Sequence, residues 1–130
     1  MKIISELYIL LDDRPGTIGD LARVLKKKKV SIYAIGLWVD TARLYVSDPE
    51  MALKAVQEQG YQVELREVLH FDVPNKPGVL MELTQKLGNA GININNLYGA
   101  LGEKQERGIL IVEVDNMQLA LDIFENHDFD

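Results

Sequence analysis

Two stretches of the chain, DRPGTIGDL at residues 13–21 and NKPGVLMEL at residues 75–83, lie over each other with Pro15 on Pro77, Gly16 on Gly78 and Leu21 on Leu83, each pair 62 residues apart. The same offset carries Leu7, Ile9 and Leu11 onto Leu69, Phe71 and Val73, and Leu25, Val30, Ile32 and Ile35 onto Leu87, Ile92, Ile94 and Leu97. A self-similarity this long means that one supersecondary unit is used twice. It constrains the fold before any local propensity is weighed.

Each copy opens with apolar residues at every second position, the mark of a strand. A turn follows: Asp13-Arg14-Pro15-Gly16 or Asn75-Lys76-Pro77-Gly78. Pro fixes φ, Gly allows close approach to the backbone, and a short polar side chain can bond nearby N–H groups. The period then changes to helical, with Ile18, Leu21, Ala22 and Leu25 in one copy and Leu80, Leu83, Thr84 and Leu87 in the other. The second helix runs out at Gly88-Asn89-Ala90-Gly91, a C-cap pattern, and the first in Lys26, Lys27, Lys28 and Lys29, which suit the negative end of a helix dipole. Two β-rich runs come next. Ser47-Asp48-Pro49-Glu50 reads as the start of a further helix, with Glu50 closing a capping box, and Asp115-Asn116-Met117 is its counterpart. Residues 61–67 form a strand that runs directly into the second copy.

The order strand, helix, strand, strand, helix, strand is that of the ferredoxin-like plait. The expected fold is α+β: two ferredoxin-like βαββαβ repeats at residues 1–66 and 67–130, with antiparallel sheets and helices on one face. Tyr8 and Leu10, and likewise Ile109 and Ile111, make strands apolar on both faces, so cover is expected on the second face too. Residues 128–130 stand where the last strand of the second copy should begin. That strand is therefore short, missing or supplied by another chain. The turn between Val39 and Arg43 is also tighter than its counterpart between Leu101 and Glu106.

Composition excludes several classes of function. The 130 residues are 47% apolar and 26% charged, enough to bury a core, and they include no cysteine, hence no disulfide, thiolate metal site or cysteine nucleophile. The start, MKIISELYILL, is neither a signal peptide nor a membrane span. A cytoplasmic setting with no membrane partner follows as the expectation. A net charge of −6 speaks against nucleic acid as partner, and the lysine run reads as a solvated helix end. No phosphate loop, nucleophile elbow or paired His and carboxylate is found, so no enzymatic activity is expected. His70 reads onto the outer sheet face; with His127 in the tail no metal-ligand spacing arises, and neither metal nor cofactor is expected. Trp38 reads as a core or interface residue.

The run Asn75-Lys76-Pro77-Gly78-Val79-Leu80, then Leu83 and Leu87, then Ala90-Gly91-Ile92-Asn93-Ile94, resembles the ACT domain, a small amino-acid-sensing module. The first copy, with Asp13-Arg14-Pro15-Gly16 and Val30-Ser31-Ile32, resembles a more diverged ACT domain. The resemblance covers almost the whole chain. It implies regulation by a free amino acid held where the loop between first strand and first helix meets the second strand, often that of a neighbouring domain. On that pattern the ligand residues are Asn75, Lys76, Gly78, Val79, Leu80, Asn93 and Asn95 in the second copy. In the first they are Asp13, Arg14, Gly16, Thr17 and Ser31. It also implies a homodimer through sheet or edge contacts. A separate partner enzyme, for which the chain would be the regulatory subunit, is one alternative, and a ligand-free scaffold is the other. Asp13 and Asn75 would serve as plain turn formers equally well. Three asparagines at 93, 95 and 96 are unusual for a strand.

Overall fold

The computed structural model describes residues 1–125. His127 and residues 128–130, the place for a last strand of the second repeat, lie outside them. The described elements run β1 (Lys2–Leu10), α1 (Thr17–Lys27), β2 (Ile32–Leu37), β3 (Thr41–Val46), α2 (Pro49–Glu58), β4 (Val63–Pro74), α3 (Val79–Asn89), β5 (Ile94–Ala100), β6 (Arg107–Val114) and α4 (Met117–Phe124). The protein is α+β, with two ferredoxin-like repeats. It divides into two compact units: Ser5–Glu67, and the residues from Val68 together with Met1–Ile4.

In the unit Ser5–Glu67 the strands hydrogen-bond in the order β2-β3-β1-β4. β1 and β3 run antiparallel with Leu7 opposite Leu44 and Ile9 opposite Ala42. The alternation seen in the sequence therefore sends these four side chains to one face. Leu21 and Leu25 of α1 and Ala52 and Val56 of α2 close over them, and all eight are 1% exposed or less. Fully burying one such leucine contributes about 1.5–3 kcal/mol.

The opposite face carries charge. Glu6 is fully buried, and its Oε1 accepts a 3.1 Å bond from Arg43 Nη1. The Arg43 guanidinium lies 4.9 Å from the centre of the Tyr8 ring, and that of Arg66 lies 3.6 Å from it. A carboxylate without water needs such a partner, since an unpaired buried charge costs several kcal/mol.

The caps refine the expectations for the helix ends. α2 begins on Asp48, whose carboxylate accepts from Met51 N at 3.1 Å. Glu50 closes no box there: with Pro49 as the first helical residue it stands one position too early. At the far end of α1, Val30 N bonds Leu25 O at 3.0 Å and Lys29 N bonds Lys26 O at 3.0 Å, the two bonds of a Schellman motif. Ile92 N to Leu87 O and Gly91 N to Gly88 O repeat it at α3, both at 3.0 Å. Lys29, at φ +58°, holds the left-handed position that Gly91 fills in the second repeat.

In the other unit β4 pairs with β6, Leu69 opposite Val112 and Phe71 opposite Leu110. These face Leu83 and Leu87 of α3 and Ala120 and Phe124 of α4. Phe71 and Phe124 meet edge to face, with centroids 4.9 Å apart. His70 and Ile111 pair on the helix-free side, where Ile111 is 1% exposed. In the first repeat the last strand lies beside the first strand. In the second, the place beside β4 is taken by residues Lys2–Ile4 of β1. The start of the chain thus stands where the second repeat's own last strand would. None of the described helices is long and apolar enough to cross a membrane.

The shared strand can be tested through Ile4, 8% exposed, which belongs to the unit built on the second repeat. Ile4→Ala should lower stability in urea by about 2–5 kcal/mol and cost the Leu69 and Phe71 amides their hydrogen-exchange protection; loss confined to Ser5–Glu67 would contradict the pairing. His70 has its pKa lowered, first by burial and then by the charge of Lys2, while a backbone hydrogen bond and Asp72 partly offset both. The folded state therefore takes up the proton less readily than the unfolded chain. Stability is undiminished above the ordinary histidine pKa of about 6.5 and falls as pH drops through it. His70→Gln should flatten that part of the stability-against-pH curve.

Candidate functional site

The four described helices begin in two ways. α2 and α4 are closed by side chains: Asp48 accepts from Met51 N and Asn116 from Leu119 N, both at 3.1 Å. α1 and α3 begin on Gly16 and Gly78, at φ +88° and +93°, with no side chain bonded to the first turn. These are the glycines of the repeated Pro-Gly, and the left-handed backbone they hold would strain any residue with a Cβ. The N–H groups of Ile18 and Gly19, and of Leu80 and Met81, find no acceptor among the described residues. Such open amides, at the positive end of a helix dipole, suit a carboxylate.

In the first repeat the loop ahead of α1 is braced by Thr17. Its hydroxyl, in a residue 5% exposed, is shared between Asp12 O at 3.1 Å and Arg14 O at 3.0 Å. Arg14 lies 3.8 Å from Asp20, an exposed pair that holds it loosely. Asp13 is exposed and makes no hydrogen bond or ion pair among the described residues. Asp13, Arg14, Gly16 and Thr17 form one wall of a cleft of about 100 Å³, and Leu37, Trp38 and Val39 the other. The sequence reading missed this apolar wall and placed Trp38 in a core or interface. Trp38 is 40% exposed, with the Arg43 guanidinium 6.0 Å from its ring. The signal was available in the element order: β2 runs parallel to β1, so the turn after β2 returns to the loop after β1.

Ser31 lies elsewhere. Its N–H donates to Ser47 Oγ, and Ser47 N–H donates to Ser31 O, both at 2.9 Å. Eleven residues of α1 separate it from Gly16, roughly 16 Å at 1.5 Å per residue.

The second repeat keeps this plan. Asn93 N–H donates to Asp115 Oδ1 at 3.0 Å, and Asp115 N–H to Asn93 O at 3.1 Å. Asn93 Nδ2 donates to Asn95 Oδ1 at 3.0 Å. Within the unit, Asn93 and Asn95 sit at the start of β5, a helix length from Gly78, and the backbone of Asn93 with Asp115 ties that start to the start of α4. The structure does not bring them to Asn75. Asn96 Nδ2 is buried with no hydrogen-bond partner among the described residues. Asn75 itself faces the turn between β5 and β6: its Nδ2 donates to Gly102 O at 2.7 Å and to Gln105 O at 2.9 Å. Lys76 and Gly78 border an open groove along α3 with Met81 and Gln85. Val79 is 2% exposed and packs into the core, whereas Leu80 is exposed.

Solved structures share this architecture. That of protein BT0572 from Bacteroides thetaiotaomicron has a TM-score of 0.85 at 24% identity, over 95% of this chain and 87% of that one. The regulatory subunit of aspartate kinase from Thermus thermophilus, in its ligand-free form, gives 0.65 at 16% identity over 96% of both chains. That from Thermus flavus gives 0.67 at 14%, over 95% and 94%. No curated protein matches the sequence. A family model described as an ACT domain pair matches residues 1–129, and with that match over nearly its whole length the chain belongs to the ACT domain pair family.

Proposed function

We propose that the protein is a cytoplasmic regulatory module without catalytic activity that binds a free amino acid at the loop ahead of α1, of which the loop ahead of α3 is a second copy. The contrast between helix starts carries this reading. One chain caps α2 and α4 with side chains and leaves open the two helices that follow Pro-Gly. In the first cleft the chemistry suits a zwitterion. The Ile18 and Gly19 amides with Arg14 take the carboxylate, Asp13 takes the ammonium, and Leu37, Trp38 and Val39 meet the side chain. In the second repeat Lys76, Gly78 and the amides of Leu80 and Met81 form the corresponding loop, with Val79 packed beneath it. Ser31, Asn93 and Asn95 lie a helix length from these loops within their units and meet a ligand where a second chain brings its own loop to them.

The turn that walls the first cleft is the end of β2, the outermost strand in its unit's order. Ile32, Tyr33, Ile35 and Leu37 on that strand are 37, 58, 48 and 54% exposed. An apolar strand edge with unpaired backbone invites a further strand, so the proposed homodimer pairs β2 with β2 of a second copy. Ligand occupancy and dimer pairing then share one segment, which is how binding biases assembly. The aspartate kinase regulatory subunits, similar to this chain over 94% or more of their length, favour a second reading: a subunit that serves a separate enzyme.

Thermal unfolding against each of the twenty amino acids tests the binding. A compound bound only by the folded state at about 100 times its Kd adds roughly 2.7 kcal/mol. One or a few stabilising amino acids are expected, with the effect lost in Asp13→Ala and accompanied by a change in Trp38 fluorescence, the chain's one tryptophan. No shift with any of them leaves the scaffold reading in front. Sedimentation tests the assembly. Wild type should be a dimer and Ile35→Lys a monomer; a monomeric wild type ends the edge-pairing proposal.

A further inference from the structure

The two repeats differ most at the turn that faces the ligand loop. In the first it spans only Trp38, Val39 and Asp40, closed by Trp38 N donating to Thr41 O at 2.8 Å. It leaves Asp13 without a partner among the described residues and the cleft beside it open. In the second it spans residues 101–106 and folds against the loop. Gln105 N donates to Gly102 O at 3.1 Å inside the turn, and Asn75 N donates to Glu106 O at 2.9 Å, as Leu11 N donates to Asp40 O at 2.8 Å in the first repeat. The Asn75 side chain adds its bonds to Gly102 O and Gln105 O at 2.7 and 2.9 Å. A primary amide has two N–H bonds to give, and both are given to this turn. Asn75 holds the place, 62 residues on, that Asp13 holds in the first repeat.

We infer that the 101–106 turn withholds Asn75 from the second ligand loop, latched by the Asn75 side chain, while the amides of Leu80 and Met81 stay unpaired among the described residues. Each chain then takes one amino acid, at Asp13, Arg14 and Gly16, while the loop at Lys76 and Gly78 stays latent until the latch is released. Asn75 is a positioning residue for the turn rather than a ligand contact. Both of its side-chain hydrogen bonds must break before the amide can turn to anything else. The inference rests on the amino-acid-binding reading above and adds to it the stoichiometry and the asymmetry of the repeats.

Calorimetric titration of the full chain with each of the twenty amino acids in turn tests it. Wild type should bind one equivalent per chain, and Asp13→Ala should remove it. Asn75→Ala should bind two, as should a variant in which residues 102–105 are replaced by Asn-Gly, a two-residue turn too short to reach the loop. Two equivalents in wild type would overturn the latch while leaving the binding reading intact. So would a single site that survives Asp13→Ala, or a single site in Asn75→Ala whose circular dichroism shows it folded. No heat from wild type with any amino acid sinks the binding reading itself and the latch with it.

Discussion

The need of β4 for a partner along both of its edges is the constraint on which the rest of the structure depends. Residues 63–67 of that strand complete one unit and residues 68–74 open the other. A first strand in a βαββαβ unit is central, and its backbone donors and acceptors need partners on both sides. β6 supplies one side, and Lys2–Ile4 stand on the other. The unit built on the second repeat is thus discontinuous in sequence. The nine residues of β1 serve both units in turn: Leu7 and Ile9 pack in the core of one, while Lys2–Ile4 count with the other.

Within each unit the repeated helices do two tasks with different parts. Their apolar stripes, Leu21 and Leu25 or Leu83 and Leu87, complete the cores. Their first turns, begun on left-handed glycines, leave amides unpaired. Side-chain caps contribute about 0.5–2 kcal/mol each, and α2 and α4 have them. The helices that follow Pro-Gly forgo that stabilisation, and what they keep instead is a pair of donors aimed away from the helix. In the first repeat these donors stand beside Asp13, Arg14 and an apolar wall. In the second a neighbouring turn is fastened to Asn75.

The corner ahead of β5 is held by backbone groups and one acceptor side chain. The backbone of Asn93 bonds Asp115 at the start of β5, as the backbone of Ser31 bonds Ser47 at the start of β2, while the side chains of Asn93 and Asn95 bond each other. Both repeats lock the same corner with different side chains. The resemblance to a ligand pattern drew attention to these residues, and the helix that the sequence places between them and Gly78, eleven residues long, sets the two a helix length apart within the unit.

The sequence by itself determined the repeat, the order of elements and the cores, because those follow from local periodicity and turn chemistry. α1 and α3 begin and end 62 residues apart at both ends, as the offset of Pro15 and Pro77 requires. It also marked Gly16 and Gly78 as the open helix starts, since only glycine takes that backbone without strain. Tertiary structure decided what local pattern does not encode. It set Lys2–Ile4 beside β4, because strand pairing is satisfied by whatever edge the folded chain brings near. It brought Leu37, Trp38 and Val39 to Asp13, and turned Asn75 towards residues 102 and 105. Those contacts join residues about 25–30 positions apart in sequence, and only the path of the strands between them fixes which side chains meet.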